Sequence, residues 1–394
     1  MAEFELPILG PPPPPPAAVA VVDRGYENVR VVETGKAITV WYENRRFFNA
    51  LDGLAEILAI VAPLATPDAS LNLIPLRDDQ PLLELETTPR AVMGAATKGG
   101  RLDARILAPR NPPFDPLAPT ANRADMTLQP ALRFDQLSYS YLARADIAAP
   151  IGNGLRGVAR LQAPVYPQFG FDPPTLALRS SGWMAPDVPA VFQVGTSANR
   201  AHLAGEVAYQ VLGGYGFLKV KGALVQDAFP EFVAKAEARV PIWDLTLAGG
   251  WGQWPLGDWG PFFSVRRRFD RTMVEATVTK THYGTQFRGT LGINLGFDPK
   301  PAPGTLRILP IGYYQMSYYA TAYSAADPIQ PDPEVDDFQD RLTPAFLEAH
   351  LSSLPWPEGS RDAPATPMPP VPSAPEVSSP PGPEGPGPRA RTAH

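Results

Sequence analysis

Apolar residues Leu51, Leu54, Ala55, Leu58, Ala59 and Val61 recur at helical spacing, and Pro63 ends the pattern, which predicts one amphipathic helix over residues 48–61. On its N-terminal side the β-branched runs 29–32 and 37–41 flank Glu33-Thr34-Gly35-Lys36, a hairpin signal. On its C-terminal side the runs 71–76 and 82–85 flank the turn Arg77-Asp78-Asp79-Gln80. The order is ββαββ, a small α+β domain over residues 23–97. Residues 98–130 are rich in Pro, Asn, Asp and Arg with weak periodicity and read as a linker.

From residue 131 to 323 the helical spacing disappears and period-2 alternation replaces it, punctuated by Gly and Pro. In 287–297, Phe287, Leu291, Ile293, Leu295 and Phe297 share one face, and Arg288, Thr290, Gly292, Asn294 and Gly296 the other. In 233–240, Ala234, Ala236, Ala238 and Val240 oppose Lys235, Glu237 and Arg239; in 217–224, Leu218, Val220 and Gly222 oppose Phe217, Lys219 and Lys221. About twelve such segments occur, a number typical of a mid-sized antiparallel barrel. A soluble sandwich or barrel would turn the apolar face inward, and an outer-membrane barrel would turn it to lipid. The polar face carries Lys, Arg, Glu, Gln, Asn and Gly in successive segments, and aromatics such as Tyr139, Tyr141, Trp243, Trp251, Trp259 and Tyr283 sit near segment ends, as in interfacial girdles. The expected fold is therefore mainly β, an antiparallel transmembrane-type barrel of about twelve strands over 131–323 behind the α+β domain. A soluble β-rich polysaccharide-binding protein is the alternative.

Composition narrows the function. Fifty prolines in 394 residues gather toward the ends, so residues 1–22 read as a stiff Pro/Ala leader, and 324–394 as a short helix at 336–353 and a Pro-rich disordered tail. Deleting 1–22 and 355–394 is expected to leave the folded body intact. With no cysteine and four scattered histidines, no thiolate chemistry, disulfide framework or metal site is expected. A net charge of −6 gives no reason to expect a nucleic-acid partner. The longest apolar run, 51–65, contains Asp52 and Glu56 and is too short for a membrane helix. Met1-Ala2-Glu3-Phe4-Glu5 lacks the features of a signal peptide, which fits a cytoplasmic chain, a mature form or a misplaced start.

No catalytic, cofactor or metal residues are expected. Gly213-Gly214-Tyr215-Gly216 reads as a hairpin because the helix with Lys and Ser/Thr that a phosphate loop needs does not follow. Asp258 reads as a turn cap, having no identifiable carboxylate partner for acid/base work. Alternation places Arg266, Arg268, Lys235, Arg239, Lys219 and Lys221 on polar faces, where they would either contact an anionic polymer or form ion-pair ladders with Glu206, Glu237 and Glu275. Arg267 falls on the apolar face, so it must stand near a rim of any membrane-embedded strand.

Three stretches carry a family resemblance. Gly25-Tyr26-Glu27-Asn28-Val29-Arg30-Val31 leads into Tyr42-Glu43-Asn44-Arg45-Arg46-Phe47; Leu256-Gly257-Asp258-Trp259-Gly260 precedes Ser264-Val265-Arg266-Arg267-Arg268-Phe269-Asp270; and Arg288 to Leu295 forms a terminal strand pattern. Over about residues 25–300 the chain resembles the YjbH/GfcD family of exopolysaccharide-associated outer-membrane β-barrel proteins, looking like a carboxyl-side half or a short relative. The resemblance implies outer-membrane lipid, an anionic exopolysaccharide and other envelope export proteins as partners, and a non-catalytic part in export or anchoring.

Overall fold

The computed structural model describes residues 13–47, 49–117, 124–135, 139–167, 169–254, 257–269, 272–282, 284–293, 306–309, 314–319, 333–339 and 342–357. The expected tail beyond 357 and most of the leader lie outside them.

The α+β module begins with helix α1 (Pro16–Asp23), then strands β1 (Glu27–Thr34) and β2 (Ala37–Glu43), helix α2 (Ala50–Val61), strands β3 (Ser70–Arg77), β4 (Gln80–Pro81) and β5 (Glu84–Thr87), helix α3 (Pro89–Lys98) and strand β6 (Ala104–Leu107). Its sheet runs β1-β2-β3-β5-β6, with β4 paired to β3. Helix α2 is the crossover that lets β2 and β3 pair in parallel, and Asn49 caps it by accepting from the Leu51 amide at 3.1 Å. Leu54, Ile57, Leu58 and Val61 of α2 are buried with Val29, Val31, Ile38, Val40, Leu71 and Leu73 of the sheet.

Two expectations are corrected here. The leader is not wholly a polyproline rod: α1 forms from Pro16 because Ala17, Ala18 and Val21 lie on one face, and all three are fully buried in the module core. Part of the linker is strand, since β6 pairs with β5 from Glu84↔Leu107 to Thr87↔Ala104. A chain lacking residues 1–23 is therefore expected to lose about 3 kcal/mol of stability, from uncovering these side chains and the surface they cover. A shift in the midpoint of urea unfolding checks this.

The second sheet contains β7 (Ala124–Asp135), β8 (Tyr139–Gly152), β9 (Leu155–Tyr166), β10 (Thr175–Ala185), β11 (Val188–Ser197), β12 (Arg200–Val211), β13 (Gly216–Val225), β14 (Glu231–Val240), β15 (Leu245–Gln253), β16 (Trp259–Phe269), β17 (Thr272–Thr281) and β18 (Gly284–Ile293), twelve strands each antiparallel to the next. Two short strands follow, β19 (Leu306–Leu309) and β20 (Tyr314–Tyr319), both parallel to β7. The expected closed antiparallel barrel is corrected: the twelve-strand antiparallel sheet does not close, because β7 and β18 do not pair with each other. Strand β20 lies between them, antiparallel to β18 and parallel to β7. Parity explains the parallel step. In an even run of alternating strands the first and last point in opposite directions, so a strand antiparallel to β18 must run the same way as β7.

The faces separate as the alternation predicts, and the polar one is inside. Phe217, Lys219 and Lys221 are buried, whereas Leu218 and Val220 are exposed. Arg179, Gln193, His202, Glu206, Gln210 and Glu237 are likewise buried, and Leu178, Phe192, Val194, Leu203 and Phe232 face out. After the sheet come α4 (Val335–Gln339) and α5 (Pro344–His350), two helices where the sequence predicts one. Thr343 caps α5 by accepting from the Phe346 amide at 3.3 Å.

The module sits on the rim formed by the turns after β8 and β10. The Gly154 amide donates to Asp78 O at 2.6 Å, and Trp183 Nε1 donates to Pro81 O at 2.8 Å. Arg156 pairs with Asp78 at 3.4 Å. No helix among the described residues is long and apolar enough to cross a membrane, which bears only on helices.

Candidate functional site: a charged interior and its helix

Lysine and arginine inside a sheet need counter-ions, since a buried unpaired charge costs several kcal/mol. The strands supply some of them. Lys235 Nζ stands 3.1 Å from Glu206 and 3.5 Å from Glu237; Lys221 pairs with Glu231 at 2.9 Å; Arg266 Nε reaches Glu275 at 2.7 Å, with Arg288 on the same carboxylate at 3.2 Å. Cross-strand register makes these ladders: Arg266 lies directly opposite Glu275.

The remaining anion comes from α4. Asp336 Oδ1 is 2.7 Å from both Lys219 Nζ and Arg239 Nη2, and its Oδ2 is 3.5 Å from Arg266 Nη1. Glu237 shares the first two cations, at 2.9 Å from Lys219 and 3.2 Å from Arg239. Beneath them the buried Phe217 ring carries the Arg239 guanidinium at 4.1 Å and the Lys219 ammonium at 5.4 Å from its centroid. Burial works against the charge on Asp336, but Lys219, Arg239, Arg266 and Lys235 outweigh it and hold the carboxyl well below the ordinary carboxylate range.

Other contacts fix α4 in place. Asp337 pairs with Arg179 at 2.6 Å, the Val335 amide donates to Glu206 at 2.7 Å, and Gln339 donates to Gln210 at 3.1 Å. Phe338 packs edge-on against Trp183, ring centroids 5.9 Å apart. Beside Asp336 a cavity of about 40 Å³ is lined by Arg239, Arg266, Arg268, Asp244, Thr343 and Phe346.

Of the six cations singled out from the sequence, Lys219, Arg239 and Arg266 converge on Asp336. Lys235 stands beside them on Glu206 and Glu237, Arg268 lines the adjoining cavity, and Lys221 is farther along β13 with Glu231. Asp336 is what sequence reasoning missed. Val335 and Phe338, three apart and buried around two aspartates, are the local signal of an inserted helix.

The other singled-out positions have structural work. Asp258 is fully buried and accepts from the Trp259 amide and from His282 Nδ1, both at 2.9 Å, as a turn cap would. Arg267 lies two residues from the end of β16 with its guanidinium 4.4 Å from the Phe269 ring centroid. In the Tyr42–Phe47 segment, Arg45 bridges Glu27 and Asp125, tying the module to the first strand of the large sheet. Arg46 holds Glu56 at 2.8 Å, and Glu56 accepts from the buried Tyr26 hydroxyl at 2.8 Å.

No known protein family and no curated protein matches the chain. The chemistry of the interior is ionic: it can hold an anion at Lys219, Arg239 and Arg266, and holds its own carboxylate there. Among the described residues no cluster of three or more His, Asp or Glu side chains is placed to hold a metal ion.

Proposed function

We propose that the chain is a non-catalytic outer-membrane β-barrel protein that assists the export or anchoring of an exopolysaccharide, with the α+β module at the periplasmic rim. The observation that carries the reading is the inverted sheet, with ion-paired side chains inside and Leu, Val, Phe and Trp outside. A soluble protein would leave that belt uncovered, at an unfavourable contact with water of roughly 25 cal/mol per Å². Lipid removes the cost, provided no unpaired strand edge faces it. Strand β20 covers part of each edge, pairing with 288–293 of β18 and 131–135 of β7, and the reading requires that the rest be covered too.

Rim aromatics support the same placement. Trp251 and Trp259 stack with centroids 5.6 Å apart at the ends of β15 and β16, and Tyr139 and Tyr166 stack at 4.7 Å at the ends of β8 and β9. The turns on the module side include two-residue links after β8 and β10, as periplasmic turns are short. The exopolysaccharide role, and envelope export proteins as partners of the module, come from the YjbH/GfcD resemblance. A lumen occupied by α4 favours anchoring or gated passage over an open conduit.

The expected result is fractionation with outer membranes and a gel mobility that changes on heating, because closed barrels resist detergent until boiled. Monodisperse behaviour in detergent-free buffer would overturn the membrane placement and favour the soluble β-rich polysaccharide-binding protein.

A further inference from the structure

Three cations of the sheet, Lys219, Arg239 and Arg266, point at one carboxylate that the sheet does not provide. We propose that Lys219, Arg239 and Arg266 form a binding subsite for a carboxylate of an acidic glycan, and that Asp336 on α4 fills it as an internal stand-in that the glycan must displace. The inference rests on the polysaccharide reading for the class of polymer and otherwise on the geometry alone.

The subsite has the parts such a ligand needs. Two guanidinium groups and an ammonium surround two carboxylate oxygens at 2.7 to 3.5 Å, and the forks keep their charge at any working pH. The face of the Phe217 ring beneath holds two of the cations, Lys219 and Arg239. The cavity bordered by Arg239, Arg266, Arg268 and Thr343 adjoins Asp336, giving an incoming sugar somewhere to begin.

The stand-in is short and held by polar contacts as well as by the buried side chains of Val335 and Phe338. Helix α4 is five residues long. Its bonds to Glu206, Gln210 and Arg179 are of kinds that sugar hydroxyls and carboxylates can replace. The carboxylates that remain on the strands, Glu206, Glu237 and Glu275, cover the cations only in part. An uncovered subsite would carry excess positive charge, which selects an anion over a neutral glycan of the same length. Because α4 competes for the site, apparent affinity is reduced by the fraction of molecules in which it has left.

The test uses the full chain in detergent with oligogalacturonate as probe, and a neutral maltooligosaccharide and acetate as controls. Asp336→Asn keeps the shape of the side chain and removes its charge. It is expected to bind oligogalacturonate at least about tenfold more tightly than the wild type, with no gain for the neutral glycan. Adding Arg239→Gln and Arg266→Gln should abolish the gain.

A second measurement does not depend on that variant folding. The chain has no cysteine, so Val335→Cys places one thiol at a fully buried position of α4 with only a small change in shape. Oligogalacturonate should speed its labelling by a maleimide several-fold, and the neutral glycan should not. Unchanged labelling, or a folded Asp336→Asn protein with wild-type affinity, overturns the inference. Acceleration by acetate equal to that by oligogalacturonate also overturns it, since the site would then bind any small anion. Heat-modifiable mobility and outer-membrane fractionation are read separately, so a failed membrane placement leaves the binding result interpretable, and the reverse.

Discussion

Lys219→Met is expected to lower the stability of the folded chain by about 3 to 5 kcal/mol, the range for removing one partner of a buried ion pair. The ammonium is almost fully buried and lies 2.7 Å from Asp336 and 2.9 Å from Glu237. Methionine fills a similar volume, so little of the loss comes from packing. The loss arises because Asp336 and Glu237 then share Arg239 at a buried site, with only the longer contacts of Asp336 to Arg266 and of Glu237 to Lys235 beside it. Lys221→Met on the same strand is the comparison. The Lys221 side chain is 10% exposed where that of Lys219 is 1% exposed, so a smaller loss is expected. The urea midpoint read by tryptophan fluorescence gives both values. Combining Lys219→Met with Asp336→Asn should recover part of the loss, because the second change removes one of the stranded charges. Full additivity would mean that the two side chains do not interact.

Period-2 patterning fixes face, and face was legible strand by strand. Leu218 and Val220 against Lys219 and Lys221, or Ala236 and Ala238 against Glu237 and Arg239, divide in the structure as they divide in the sequence. The helix and hairpins of the module were legible for the same reason, as was the positioning of the six interior cations. What patterning cannot carry is pairing across long separations. Asp336 meets Lys219 across 117 residues, and no local period marks that contact. Strand character as far as residue 323 is legible, but the place of β20 between β18 and β7 is not, since it depends on the parity of the strands before it. Helix α1 was hidden by composition: its run of Ala and Val follows the proline stretch, and only packing against α2 and β1 distinguishes it from an extended leader. Two boundary signals were available. Thr88-Pro89 and Thr343-Pro344 each place a capping threonine before a first-turn proline, and each opens a helix in the structure.

Gly154→Ala should detach the turn of β3 and β4 from the large sheet and cost at least about 2 kcal/mol, through backbone strain and steric overlap together. Asn153 and Gly154 form the two-residue link between β8 and β9, both with positive φ, +52° and +79°, as a hairpin that follows the strand twist requires. A methyl group at residue 154 would stand 2.0 Å from the carbonyl oxygen of Ser181 and 3.0 Å from the side chain of Gln80. Ser181 cannot retreat cheaply, because its own amide donates to Gly154 O at 2.8 Å. Movement of the turn away from β10 would break that bond and the 2.6 Å bond from the Gly154 amide to Asp78 O. It would also strain the Arg156–Asp78 pair, since both contacts converge on Asp78. Asn153→Ala is the control: it shares the left-handed backbone, but its side chain is exposed, so only the smaller conformational cost of roughly 1 kcal/mol applies. The readouts are the urea midpoint and the rate of tryptic cleavage after Arg77, which the docked turn shields. Faster cleavage in Gly154→Ala but not in Asn153→Ala is the expected result. Equal effects in the two variants would show that backbone conformation alone, and not the close approach to Ser181, sets the requirement for glycine.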